Sequence, residues 1–248
     1  MNEVNFMEPV FQRNTKEETE MKGVREVVLA GDPGCTGFDD QSKRVFGDVL
    51  SRKADLFIIT GDLAQTGARE EFAEVMDFCN ARAHAPVFAL CGNHDLPGYA
   101  ECCERATYAI VLEQAVLVCL DNSKGVFASG ELAFLQQKLE KHVGKRFVVL
   151  FHVPPPIDSI RSLMKDETWQ ELRSVLDPHR DRIERIICGH LHGYYEYRLD
   201  GYHIIITAGG GSAMIYQLPN EECKIFNALR LSFKDDGSIA TEMIPIVA

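Results

Sequence analysis

The sequence predicts an α/β fold built from layered, mixed β-sheets. Two observations carry this expectation. Short apolar runs alternate with segments of helical period through residues 25–190, and the remainder reads as β-hairpins. The 248 residues suit one large domain or two small ones. No linker long or polar enough to divide residues 23–248 is visible, so these are read as a single domain. Residues 1–22 are polar and aperiodic and are expected to form an N-terminal arm.

The elements follow in order. Val27–Ala30 is an apolar run that feeds Gly31-Asp32, the pattern of a buried strand entering a loop. Asp39 or Asp40 can cap a helix whose apolar face is Val45, Phe46, Val49 and Leu50. Leu56–Ile59 is a second strand, ending at Gly61-Asp62. Phe72, Val75, Met76 and Cys79 recur at helical spacing, and the strand Val87–Leu90 runs into Gly92-Asn93-His94-Asp95. Tyr108–Leu112 and Ala115–Leu120 read as adjacent strands, and Leu132, Leu135 and Leu139 as a helix face. Phe147–Phe151 ends at His152, where Pro154, Pro155 and Pro156 stop any continuation. A helix on Trp169, Leu172, Val175 and Leu176 precedes the strand Ile183–Cys188, which ends at Gly189-His190. Two hairpins close the chain, turning at Asp200-Gly201 and at Asp236-Gly237.

Composition narrows the function. The net charge of −11 opposes non-specific binding to nucleic acid or to anionic membranes, and neither is expected as a partner. A phosphate-bearing substrate would need local cations, and bound metal ions would serve. The eight cysteines include no CxxC pair, and several sit in apolar runs, as Cys119 and Cys188 do. They are read as free thiols of a reducing compartment, which with no apolar leader segment implies a cytoplasmic protein. No run approaches the ~20 apolar residues that span a bilayer.

The polar residues at strand ends carry the chemistry. Asp32, Asp62, Asn93, His152 and His190 each follow an apolar run, and open α/β sheets gather their ligands at the carboxyl ends of strands. Glycine precedes four of these five, which permits tight turns and close backbone approach. Any one such Asp is more often a turn or a helix cap, but the set offers carboxylate, amide and imidazole donors at one edge. That donor set suits Mn, Fe, Zn or Co better than Ca. Two such ions sharing a carboxylate and a hydroxide form the centre of a two-metal hydrolase. His84, His142, His179 and His203 follow no such pattern and are read as surface or packing residues. Gly209-Gly210-Gly211 lacks a following Lys-Ser/Thr and is read as a tight connection near the site.

In this order, Gly31-Asp32, Gly61-Asp62-Leu63-Ala64-Gln65, Gly92-Asn93-His94-Asp95, His152-Val153-Pro154-Pro155 and Gly189-His190-Leu191-His192 resemble the motifs of the calcineurin-like metallophosphoesterases. The Gly-Asp-Leu-Ala-Gln and His-x-Pro-Pro wording is most similar to the cyclic-nucleotide and glycerophosphodiester phosphodiesterase branch. The resemblance implies a four-layer α/β/β/α sandwich of two mixed β-sheets flanked by helices. It implies that Asp62 bridges two divalent metal ions. Asp32 and His192 would complete one site, and Asn93, His152 and His190 the other. His94 would act as a nearby acid or grip the phosphate.

Two departures from the family pattern matter. The usual first block reads Asp-x-His, and its histidine ligates the first metal; here Gly34 stands at that position. Purple acid phosphatases also carry glycine there and compensate with a tyrosine, where this chain has Gln65. The first site is therefore expected to be the weaker and to fill second, unless Cys35, Asp39, Asp40 or water supplies the fourth ligand. Placing histidine at position 34 is expected to tighten it if the loop accepts a side chain. The arginines of the phosphoprotein phosphatases are also absent, since Cys91 precedes Gly92 and Ala64-Gln65-Thr66-Gly67 contains none. The expected activity is hydrolysis of small-molecule phosphodiesters by a metal-bridging hydroxide. Phosphomonoesterase or nucleotide pyrophosphatase activity at the same centre, or a non-catalytic scaffold, are the alternatives. Arg161 and Lys165 are candidates to line a substrate pocket, with a solvated face as the default reading.

Overall fold

A computed structural model describes residues 10–157, 160, 163–214 and 218–247. Its strands are β1 (Glu18–Glu20), β2 (Glu26–Ala30), β3 (Leu56–Ile59), β4 (Val87–Ala89), β5 (Tyr108–Val111), β6 (Ala115–Cys119), β7 (Arg146–Leu150), β8 (Ile183–Cys188), β9 (Tyr194–Leu199), β10 (Tyr202–Thr207), β11 (Asn227–Phe233) and β12 (Ile239–Pro245). The helices are α1 (Asp40–Ser51), α2 (Arg69–Arg82), α3 (Tyr99–Cys103), α4 (Ser129–Lys141) and α5 (Asp166–Leu176).

The strands form a seven-stranded sheet, in the order β1-β5-β6-β7-β8-β10-β9, and a five-stranded sheet, in the order β12-β11-β2-β3-β4. Both are mixed. β2, β3 and β4 pair in parallel, as do β6, β7 and β8, while β5, β9, β11 and β12 add antiparallel ladders. The expected mixed α/β layering is thus the observed one.

Strand alternation explains the layers. Side chains two residues apart share a face, so Val27 and Leu29 meet Val148 and Leu150 between the two sheets. Val28 and Ala30 face outward and pack with Val45, Phe46 and Val49 of α1 and Phe72 and Val75 of α2. On the other sheet, Phe147 and Val149 pack outward with Leu135 and Leu139 of α4 and Trp169 and Leu172 of α5. Strands buried on both faces read as continuous apolar runs, which is why the sequence reveals them. Of the two candidate caps, Asp39 caps α1 by accepting from the Ser42 N–H at 2.9 Å. All eight cysteines are free thiols, and all except half-buried Cys102 are buried.

The described part of the N-terminal arm is docked on the domain. Phe11 is buried against the α1–α2 layer and bridges to Val87. β1 adds to the seven-stranded sheet parallel to β5. The acidic sequence hides this strand because its anchor is ionic. Glu18 accepts from Lys138 at 3.1 Å, Lys141 at 2.7 Å and His142 at 3.1 Å, all on or just after α4. Burial opposes its ionisation, but the hydrogen bonds from Lys141, His142 and Lys138 outweigh that and hold Glu18 down at about 2. A depressed carboxylate stabilises the fold fully above its ordinary value of 4.5, and the contribution is lost as pH falls toward 2. Glu18→Gln leaves the buried Lys138 ammonium without its counter-ion and should cost about 3 kcal/mol at neutral pH. Urea unfolding reads it; equal stability of the two proteins at pH 7 would disprove the anchor.

Candidate metal centre

The residues singled out in the sequence converge at the carboxyl ends of β2, β3, β4, β7 and β8. Asp62, after β3, lies at the middle and is completely buried, as are Asp32, His152 and His192. Ligand atoms of Asp32, Asp62 and His152 all lie within 4.8 Å of one another. His152 Nε2 is 3.4 Å from Asp62 Oδ2 and 3.1 Å from Asn93 Oδ1. His190 Nδ1 is 2.8 Å from the same Asn93 oxygen, and His192 Nε2 is 3.7 Å from Asp32 Oδ1. His94 and Asn93 are half-buried and form the accessible side of the cluster.

Neighbouring groups hold these side chains in place. His152 Nδ1 is 2.8 Å from the Thr60 carbonyl oxygen, which fixes the tautomer and turns Nε2 inward. His94 Nδ1 likewise faces the Gln65 carbonyl at 2.8 Å, while its backbone N–H donates to Asp62 Oδ1 at 2.9 Å. His190 N–H donates to the Asp32 carboxylate.

Two positioning residues had no assigned role in the sequence reading. Buried Asp95 accepts from the N–H groups of Asp62, Ala64 and Gly92 at 2.8–2.9 Å and so ties the loops after β3 and β4 together. Burial and the charge of Asp62 push its carboxyl up to about 7 against those three donors. Asn122 Oδ1 accepts from the N–H groups of His152 and Val153 at 3.0 and 2.9 Å. Its position just beyond the apolar run of β6, matching the other strand-end residues, was the signal available in the sequence.

The backbone is unusual at three of the candidate residues. Asp32, Asp62 and His190 take φ of 62°, 55° and 74°, so the left-handed turn falls on the candidate residue itself. The segment bearing His190 and His192 is a bend after β8. Gly92 serves close approach: a Cβ there would lie 2.1 Å from Asp62 Oδ1. The triple glycine connects β10 back across the site, with Gly210 N–H donating to the Gly31 carbonyl at 2.8 Å and Ser212 N–H to that of Asp32 at 3.2 Å.

The donor chemistry fits a divalent cation. Asp62 Oδ2 is fully buried, with His152 Nε2 3.4 Å away. The carboxylates of Asp32 and Asp62 are gathered with the His152 ring within 4.8 Å, an arrangement that repels itself unless a cation or a proton lies between them. Burial disfavours an imidazolium at His152, but Asp62 and Asp32 outweigh burial and push it up to about 10.

Comparison with known proteins gives the chain its family. The family profile for calcineurin-like phosphoesterases matches residues 26–194. The chain belongs to that family. A Synechococcus protein described as a "probable cyclic nucleotide phosphodiesterase" is 25% identical over 162 residues, covering 60% of this chain and 62% of the relative. Among solved structures, the purple acid phosphatase of yellow lupin (Lupinus luteus) seeds superposes with a TM-score of 0.72 at 15% identity, over 91% of this chain and 52% of that one. A dimetal phosphatase from Danio rerio gives 0.65 at 13% identity, covering 90% and 96%. The chain thus spans about half of the lupin enzyme and less than two-thirds of the Synechococcus relative. Calcineurin-like phosphoesterases are metal-dependent hydrolases, and the buried Asp and His groups are suited to that chemistry.

Within this family member, position 34 is closed to any side chain. A Cβ on Gly34 would lie 1.7 Å from the Leu63 carbonyl oxygen, so the expected tightening by Gly34→His is ruled out on steric grounds. Asp39 is exposed and engaged as the α1 cap, Asp40 is exposed on α1, and the Gln65 side chain is exposed. Cys35 is buried, and its Sγ lies within 4.8 Å of ligand atoms of both Asp62 and His94. Lys165 is exposed at the start of α5, while Arg161 lies outside the described residues. Among the described residues no helix is long and apolar enough to cross a membrane.

Proposed function

We propose that this chain hydrolyses phosphodiesters of small molecules at a two-metal centre. Asp32, Asp62 and His192 would hold one ion, and Asp62, Asn93, His152 and His190 the other. The observation that carries the reading is the fully buried Asp62 carboxylate, whose ligand atoms lie within 4.8 Å of those of Asp32 and His152, with His152 Nε2 3.4 Å from Oδ2. When bound, the ions supply Lewis acidity to a water and to the phosphoryl oxygens. His94 faces the accessible side with Nδ1 engaged by the Gln65 carbonyl, so Nε2 is the nitrogen available to protonate a departing alkoxide. Asp95 and Asn122 keep the ligand loops in register through backbone N–H groups.

The preference for diesters rests on charge. Cys91 is buried and Ala64 and Gln65 are uncharged, at positions where arginines would clamp a doubly charged phosphoryl group. A singly charged diester needs less compensation. The Synechococcus relative's description points the same way.

The test compares bis-p-nitrophenyl phosphate with p-nitrophenyl phosphate, with Mn²⁺ or Zn²⁺ and after chelation. Diester turnover should exceed monoester turnover, vanish with EDTA and return with metal. Faster monoester hydrolysis would transfer the assignment to a phosphomonoesterase or pyrophosphatase. Metal binding without hydrolysis of either ester would leave a scaffold.

A further inference from the structure

We propose that Cys35 supplies a thiolate ligand to the ion shared by Asp32, Asp62 and His192, replacing the imidazole that Gly34 cannot carry. The proposal rests on the two-metal reading above. Three observations support it. First, the steric block at Gly34 shifts the first side chain available to this loop onto residue 35. Second, Cys35 Sγ lies within 4.8 Å of an Asp62 oxygen, the carboxylate that both proposed ions would share. Third, Cys35 is itself buried beside the fully buried Asp62, so the thiol lies against the carboxylate that would share the ion and not in solvent. The other two protein candidates are disposed of by their positions, Asp39 as the α1 cap and Asp40 exposed on the helix beyond it.

The alternative role for Cys35 is that of a small buried packing residue, the usual fate of a free thiol. The two roles differ in chemistry. As a ligand the thiol loses its proton to solvent while the sulfur–metal bond forms. A site of carboxylate, imidazole and thiolate favours zinc, cobalt or iron over manganese, because the sulfur donor is soft. The unequal filling that three ligands would produce then belongs to a Cys35 variant and not to the native chain.

Co²⁺ titration of the native protein tests this by absorbance and calorimetry together. A near-ultraviolet sulfur-to-cobalt charge-transfer band should grow as the centre fills and be absent from Cys35→Ala and Cys35→Ser. In Cys35→Ala one ion should remain tight and the other weaken by at least about tenfold, since even outer hydrogen-bond partners of ligands are worth 10–100-fold. Should both variants misfold, X-ray absorption of the zinc-loaded native protein answers instead: a zinc–sulfur distance of about 2.3 Å is expected. Two bound ions with no sulfur signature would overturn the Cys35 assignment and leave the two-metal reading standing. Failure of the native chain to bind any ion would overturn both.

Discussion

Asp62→Asn should reduce metal-dependent phosphoester hydrolysis to the buffer background. The substitution keeps the shape of the side chain and a residue type that tolerates φ of 55°. It removes the charge at the one position that both proposed sites share. Alanine would remove the carboxylate as completely but would add backbone strain on the order of 1–3 kcal/mol, confusing lost function with lost fold. The loop itself should persist, because Asp95 holds the residue 62 N–H through a bond that the substitution leaves intact. Turnover of bis-p-nitrophenyl phosphate and bound metal per chain are the two measurements. Native turnover in a preparation free of contaminating phosphatase would remove Asp62 from the mechanism.

His94→Ala should retain the fold and the bound metal yet lower turnover by roughly 10²–10⁴, the usual worth of a positioned general acid. The ring is half-buried on the open side of the site, so its loss leaves no large internal cavity. The backbone N–H that supports Asp62 Oδ1 survives in the variant. Protonation matters most when the departing oxygen is strongly basic. The loss should therefore be large for alkyl diesters and smaller for p-nitrophenyl esters. Equal losses for the two classes would show that His94 grips the phosphate and does not protonate the leaving group.

The site was legible because its residues interrupt strong apolar patterns. Asp32, Asp62, Asn93, His152 and His190 each stand where a buried strand stops, and the topology then needs only to align those strands. The same logic hid β1, whose residues are charged and whose burial depends on partners from α4 more than a hundred residues away. α3 is a single turn, too short to show a period. Asp95 was visible as a letter in a motif, but its service to three N–H groups on two loops emerges only once β3 and β4 are adjacent. Gly34 illustrates a further limit. The sequence records the missing histidine, while the reason for it, the Leu63 carbonyl pressed against the position, belongs to a different loop.

The left-handed backbone at Asp32, Asp62 and His190 narrows the alphabet of these positions twice over. Few side chains can ligate a metal, and few non-glycine residues accept such a φ; Asp, Asn and His appear in both sets. Glutamate meets the first requirement but lacks the short side chain that lets aspartate settle there. An evolutionary path through these positions is thus confined to a handful of substitutions. A descendant that lost the chemistry would be released from one constraint and still bound by the other, so a short polar residue or glycine at position 62 would outlast the activity as a trace of it.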